Sequence, residues 1–132
     1  MVVTSAELGA VPLFDGLDDE VLSTLASRFV VERHERGSVV VAEGEDARAF
    51  YVLASGRVTV TAGGRRVGDL GQGDFFGEIA VLGAGARTAT VTAVEPVVVW
   101  ALPTDAFRSL TMSRPAVALA LRGVMTERLG QV

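Results

Sequence analysis

The 132 residues carry a formal net charge of −4 with 49% apolar and 21% charged side chains, enough for one domain with a real core and too apolar for a disordered chain. No run of basic residues interrupts that acidic balance, which argues against a nucleic-acid surface on this chain alone. The absence of cysteine excludes disulfides and thiol chemistry, and one histidine, His34, leaves a metal site short of its usual ligands.

In chain order, Glu7 to Phe14, with its Pro12, reads as a short helical turn. Leu17-Asp18-Asp19-Glu20 then offers an N-cap and an acidic first turn, and Val21, Leu22, Leu25, Ala26 and Phe29 recur at helical spacing. From about Phe29 to Leu102 the texture changes to short β-rich runs divided by glycine. Val39 to Val41, Phe50 to Leu53 and Val58 to Thr61 are the first of them. Gly63-Gly64 marks a tight hairpin, because both central residues of a type I′ turn need positive φ, and Arg65 to Leu70 returns as its partner. Thr88 to Val94 alternates, Glu95-Pro96 turns the chain, and Val97 to Leu102 forms a final, largely buried strand. Thr104 is expected to cap a helix over Asp105 to Met112, and Pro115 to open another that reaches about Leu129. No linker or repeat divides residues 1–132, so a single domain is expected: a strand-rich unit between one leading helix and two trailing ones.

The chemistry concentrates in Phe76-Gly77-Glu78-Ile79-Ala80-Val81-Leu82 and, after Gly83-Ala84-Gly85, in Ala86-Arg87-Thr88-Ala89-Thr90. Glu78 to Leu82 has the length of one helical turn set between strands. Amides at such a start attract anions, and Gly77 removes the side chain that would block close approach. Arg87 can add a charge-assisted fork to a phosphate. Singly, Glu78 is an acidic helix-start residue and Arg87 a solvated surface arginine. At this spacing and inside this glycine frame, the ligand reading prevails.

The segment resembles the phosphate-binding cassette of the cyclic-nucleotide-binding domain family, whose pattern is roughly F-G-E-[L/I]-A with two apolar residues, a short loop, then P-R-[A/S/T]-A-[T/S]. The match holds at Phe76, Gly77, Glu78, Ile79, Ala80, Val81, Leu82, Arg87, Thr88, Ala89 and Thr90, and departs at Ala86, where the family commonly has proline. Glu43-Gly44-Glu45 and Phe50 to Val58 look like the family's earlier strands. The resemblance implies an α+β, mainly β fold: an eight-stranded antiparallel jelly-roll barrel with an N-terminal helix, a short cassette helix and two C-terminal helices. It implies a sensor and not an enzyme, with cAMP as ligand ahead of cGMP and no other cofactor. Glu78 would accept a hydrogen bond from the ribose 2′-hydroxyl, while Arg87 and the amides of about Gly77 to Ala80 hold the phosphate. Ala86, Thr88 and Ala89 would complete that wall, Thr88 only if the chain bends at the loop end, since strand parity groups Arg87, Ala89 and Val91 on one face. The last helix would lid the base with Leu121, Arg122, Val124 and Met125, although Leu121 and Val124 also suit simple packing on the barrel.

The remaining residues read more plainly. Gly71-Gln72-Gly73 with Gly77 lacks the spacing of a dinucleotide fingerprint. His34, at a polar strand end, is expected to be solvated, and Tyr51 and Trp100 to be packing aromatics. The apolar girth of Ala116 to Leu121 hints at a homodimer through the last helix. No basic-then-apolar leader opens the chain, and its longest apolar run is too short for a bilayer, so a cytoplasmic protein without a membrane span is expected. A regulatory fragment of a transcription factor, channel, transporter or enzyme, and a ligand-free scaffold of the same fold, are the alternative readings. A cupin-type metalloenzyme lacks its histidines.

Overall fold

Local capping starts the two leading helices. Thr4 and Glu7 form a reciprocal capping box at α1 (Ser5–Gly9), with the Glu7 amide donating to Thr4 Oγ1 at 3.1 Å and the Thr4 amide to Glu7 Oε1 at 3.0 Å. Asp18 caps α2 (Asp19–Ala26) by accepting from the Val21 amide at 2.9 Å. A 3₁₀ turn at Pro12–Phe14 joins them and buries Leu13 and Phe14. The computed structural model describes the backbone of residues 2–46, 48–77 and 87–130, and side chains through residue 126.

Eight strands follow among the described residues: β1 (Val30–His34), β2 (Val39–Val41), β3 (Ala49–Ser55), β4 (Val58–Ala62), β5 (Arg65–Leu70), β6 (Phe75–Phe76), β7 (Thr90–Ala93) and β8 (Val97–Pro103). They pair antiparallel in two four-stranded sheets, ordered β1-β8-β3-β6 and β2-β7-β4-β5. This is the expected mainly β jelly-roll. Gly63 and Gly64, at φ +60° and +77°, make the β4–β5 hairpin as foreseen.

The chain ends in α3 (Thr104–Ser113) and α4 (Pro115–Gly130). Arg114 leaves the helical region at φ −140° because Pro115 crowds the residue before it, and the two helices separate there. Arg114 Nη2 then reaches Glu20 Oε1 of α2 at 3.1 Å.

Strands β3 and β8 are apolar without alternation because both faces of their sheet are covered. Phe50, Val52, Trp100 and Leu102 pack outward against Leu8, Phe14, Leu25, Leu110, Leu121 and Met125 of the helices. Ala49, Tyr51, Leu53, Val97, Val99 and Ala101 point inward and meet Val41, Val58, Val91 and Ala93 of the opposite sheet. The protein has two cores, one helical and one between the sheets.

Three expectations need correction. The first C-terminal helix begins at Thr104 itself, with Pro103 in the cap position and no side-chain cap bond, because β8 runs directly into the helix. The seventh strand begins at Thr90 instead of Thr88, since the chain bends at Thr88 and Ala89. His34 is only partly solvated: its side chain is 23% exposed and its Nε2 lies 3.1 Å from Glu32 Oε1, two residues along the same strand face.

Candidate functional site

The site is built around Arg87, which is 7% exposed and is the only buried charged residue among the described residues. Its backbone is clamped by the turn that follows β2. The Arg87 amide donates to the Glu45 carbonyl at 2.7 Å, and the Gly44 amide donates to the Arg87 carbonyl at 2.9 Å. Gly44 sits at φ +88°, so this turn is glycine-dependent. From that anchor the side chain crosses to the other sheet, where Arg87 Nη2 donates to the Ala49 carbonyl at 2.7 Å. The guanidinium carbon stands 5.7 Å from the centroid of the Tyr51 ring, over its face. Tyr51 in turn stacks on Phe76, with centroids 5.0 Å apart and planes 14° from parallel. Burial pushes the Tyr51 phenol above its ordinary pKa, and Glu32 adds to that push, while Arg87 opposes it.

Gly77 completes the corner. It follows β6 at φ +79°, and its missing side chain leaves the room through which the guanidinium passes. Beside it opens a cavity of about 350 Å³, within the range for small-ligand sites. Phe75, Phe76, Gly77, Arg87, Thr88 and Ala89 line it together with Val41, Val60, Val91 and the β5 residues Val67 to Leu70. The wall is chiefly apolar and includes a cation, Arg87. A positive charge in such a low-dielectric recess attracts an anion more strongly than it would in water. Asp69, the one carboxylate among the described lining residues, is held by the Arg66 side chain through Nε at 3.3 Å and through Nη2. Those bonds, and a further one from Thr59, keep its carboxyl below the ordinary range.

Of the residues singled out in the sequence, Phe76, Gly77, Arg87, Thr88 and Ala89 converge on this cavity. The bend at Thr88 and Ala89 brings Thr88 to the wall beside Arg87, which unbroken strand parity forbids. Glu78, Ile79, Ala80 and Ala86, and the helical turn expected over Glu78 to Leu82, lie outside the described residues. The lid residues do not line the cavity in this arrangement. Leu121 and Met125 are fully buried in the helical core, Val124 packs against it, and Arg122 is exposed. Packing against α2 and the 3₁₀ turn directs that helix face away from the sheets' inner space. Tyr51 and the Ala49 carbonyl, which are not among the lining residues, contact Arg87 directly, although the sequence marks Tyr51 only as a packing aromatic. Their signal is hidden because β3 is buried on both faces, so its inward positions look like its outward ones.

The family model of the cyclic nucleotide-binding domain matches residues 31–114. The chain is 35% identical over 127 residues to a cyclic nucleotide-gated potassium channel of Rhizobium etli, an overlap that takes in 93% of this chain and 34% of the channel. It is 30% identical over 125 residues to a CRP-like cAMP-activated global transcriptional regulator of Mycobacterium tuberculosis, across 89% of this chain and 54% of the regulator. The crystal structure of the N-terminal domain of a transcriptional regulator from Streptomyces coelicolor aligns at a TM-score of 0.79 and 31% identity, covering 95% of this chain and 93% of that one. These matches define the class, a regulatory ligand-binding module, and the chain belongs to the cyclic nucleotide-binding domain family. It spans about a third of the channel's length and about half of the regulator's. Among the described residues, no helix is long and apolar enough to cross a membrane.

Proposed function

We propose that this chain senses a cyclic purine nucleotide, cAMP in preference to cGMP, as the regulatory module of a larger protein. The observation that carries the reading is Arg87, buried at the wall of a largely apolar cavity of about 350 Å³ beside Gly77. The cyclic phosphate takes the guanidinium's planar fork, and the base and ribose lie against the apolar wall of Val41, Val60, Leu70 and Val91. Glu78 accepts from the 2′-hydroxyl, the only hydroxyl donor that a 3′,5′-cyclic ribose keeps. The amides of Gly77 to Ala80 add donors to the phosphate, and Ala86, Thr88 and Ala89 complete its wall. The match to a cAMP-activated regulator supports the choice of cAMP. Its larger size, and that of the gated channel, support a module whose output lies in another domain.

Binding shifts a population of conformers. Capture of the nucleotide draws α3 and α4 into a new packing, which brings Leu121, Arg122, Val124 and Met125 toward the base. In the present arrangement Leu121 and Met125 hold the helical core together, so the shift must exchange one set of buried contacts for another.

Titration calorimetry with cAMP and cGMP tests the reading. The expected result is saturable one-site binding of both, tighter for cAMP. Absence of heat and of any thermal stabilisation with either nucleotide would overturn it.

A further inference from the structure

Strand β3 meets Arg87 twice, once through its main chain and once through a side chain. Its first residue, Ala49, accepts from Arg87 Nη2 at 2.7 Å, and its third, Tyr51, places its ring under the guanidinium at 5.7 Å. Both residues are buried, and the Tyr51 side chain lies on the inward side of the strand. The Tyr51 ring is itself fixed by its stack on Phe76, the residue before Gly77. The carbonyl constrains one nitrogen of the fork, and the ring face constrains the plane in which the fork lies. An arginine is otherwise flexible, and holding it beforehand reduces what binding must spend on ordering it.

We propose that Tyr51 is a positioning residue for anion capture: its ring face holds the Arg87 guanidinium in the plane that meets the cyclic phosphate. This rests on the reading of the cavity as a cyclic-nucleotide site. The role belongs to the π-face rather than to the phenol, so phenylalanine should replace tyrosine without loss, whereas an aliphatic side chain of similar bulk should not.

The test measures cAMP affinity by calorimetry for the full chain and for Tyr51→Phe, Tyr51→Leu and Arg87→Ala. A second series places mono-, di- and trifluorophenylalanine at position 51, which draws charge from the ring face while nearly keeping its shape. Tyr51→Phe should bind within about twofold of wild type, and Tyr51→Leu roughly three- to thirtyfold more weakly, the span of a buried cation–π contact. Affinity should fall stepwise with each added fluorine while the melting temperature of the ligand-free protein stays level. A role confined to packing leaves the fluorinated series flat, and a flat series overturns the proposal even if Tyr51→Leu does not fold. If the wild type binds and Arg87→Ala does not, yet the series is flat, only the role of Tyr51 fails. If the wild type binds no cyclic nucleotide, the reading beneath it fails.

Discussion

Gly77 and Arg87 share one corner so closely that a β-carbon on Gly77 would stand 2.6 Å from Arg87 Nη1 and 2.9 Å from the Ala49 carbonyl oxygen. No side chain fits there without displacing either the guanidinium or the backbone that holds it. The glycine is thus required twice, once for its φ of +79° and once for the passage of the arginine.

Gly77→Ala should therefore damage binding beyond its cost to the fold. The left-handed backbone alone costs about 1–2 kcal/mol for a residue with a side chain. Displacement of Arg87 adds a loss of cAMP affinity of roughly tenfold or more, the equivalent of one charged hydrogen bond. Chemical denaturation and calorimetry on the same preparation separate the two effects. Unchanged affinity would remove Gly77 from the site.

Gly56→Ala supplies the contrasting case. Gly56 sits at φ +88° in the β3–β4 turn, where an added β-carbon would meet the Pro96 carbonyl at 2.6 Å and Val97 Cγ1 at 2.7 Å. This position is not part of the cavity wall. The variant should lose about 1–3 kcal/mol of stability, the range for local backbone strain, and keep its cAMP affinity below its melting temperature. Denaturant titration with a binding assay checks both.

Asp69 gives the hairpin wall a defined pH dependence. Arg66 holds its carboxyl below the ordinary range, so the folded state favours the charged form. A group lowered on folding contributes stability above its unfolded pKa of about 3.9 and loses it as pH falls through the folded value. The stability gap between wild type and Asp69→Asn should hold steady from pH 7 to about pH 5 and close below about pH 4. Urea melts at pH 7, 5 and 3 measure it. A gap that widens in acid contradicts the sign.

Arg87→Lys separates charge from shape. A lysine keeps the cation but cannot present a planar fork to a phosphate while also meeting the Ala49 carbonyl. It should bind cAMP at least several-fold more weakly than wild type, and by calorimetry should fall between wild type and Arg87→Ala. Wild-type affinity in the lysine variant would mean that the fork geometry is irrelevant.

The parts of this protein legible in its sequence are those governed by neighbours along the chain. Asp18 as a cap, Gly63-Gly64 as a hairpin and Pro115 as a helix start each follow from local stereochemistry, and each stands where expected. Arg87 and Gly77 were marked by their spacing within a recognisable segment. Tyr51 was not, because nothing local distinguishes it from Phe50 or Val52 in a strand covered on both faces. Its place beside Arg87 arises only when β3 meets the segment that precedes β7 across the two sheets. The two-residue strand β6 escaped for a related reason: Phe75 and Phe76 are too few to show a period, and only their pairing with Val52 and Tyr51 defines them. The lid residues illustrate the reverse. Helical spacing groups Leu121 with Met125 on one face, but it cannot say that the face packs into the helical core, against α2 and the 3₁₀ turn, instead of the cavity.

The central claim is that a cyclic phosphate docks against Arg87 beside Gly77. A crystal structure of the protein grown with cAMP measures this most directly. A phosphate oxygen should stand within hydrogen-bond reach of the Arg87 guanidinium, about 2.7–3.2 Å, with the nucleotide filling the cavity between the two sheets. Nucleotide bound elsewhere on the protein, or a phosphate turned away from Arg87, would contradict it.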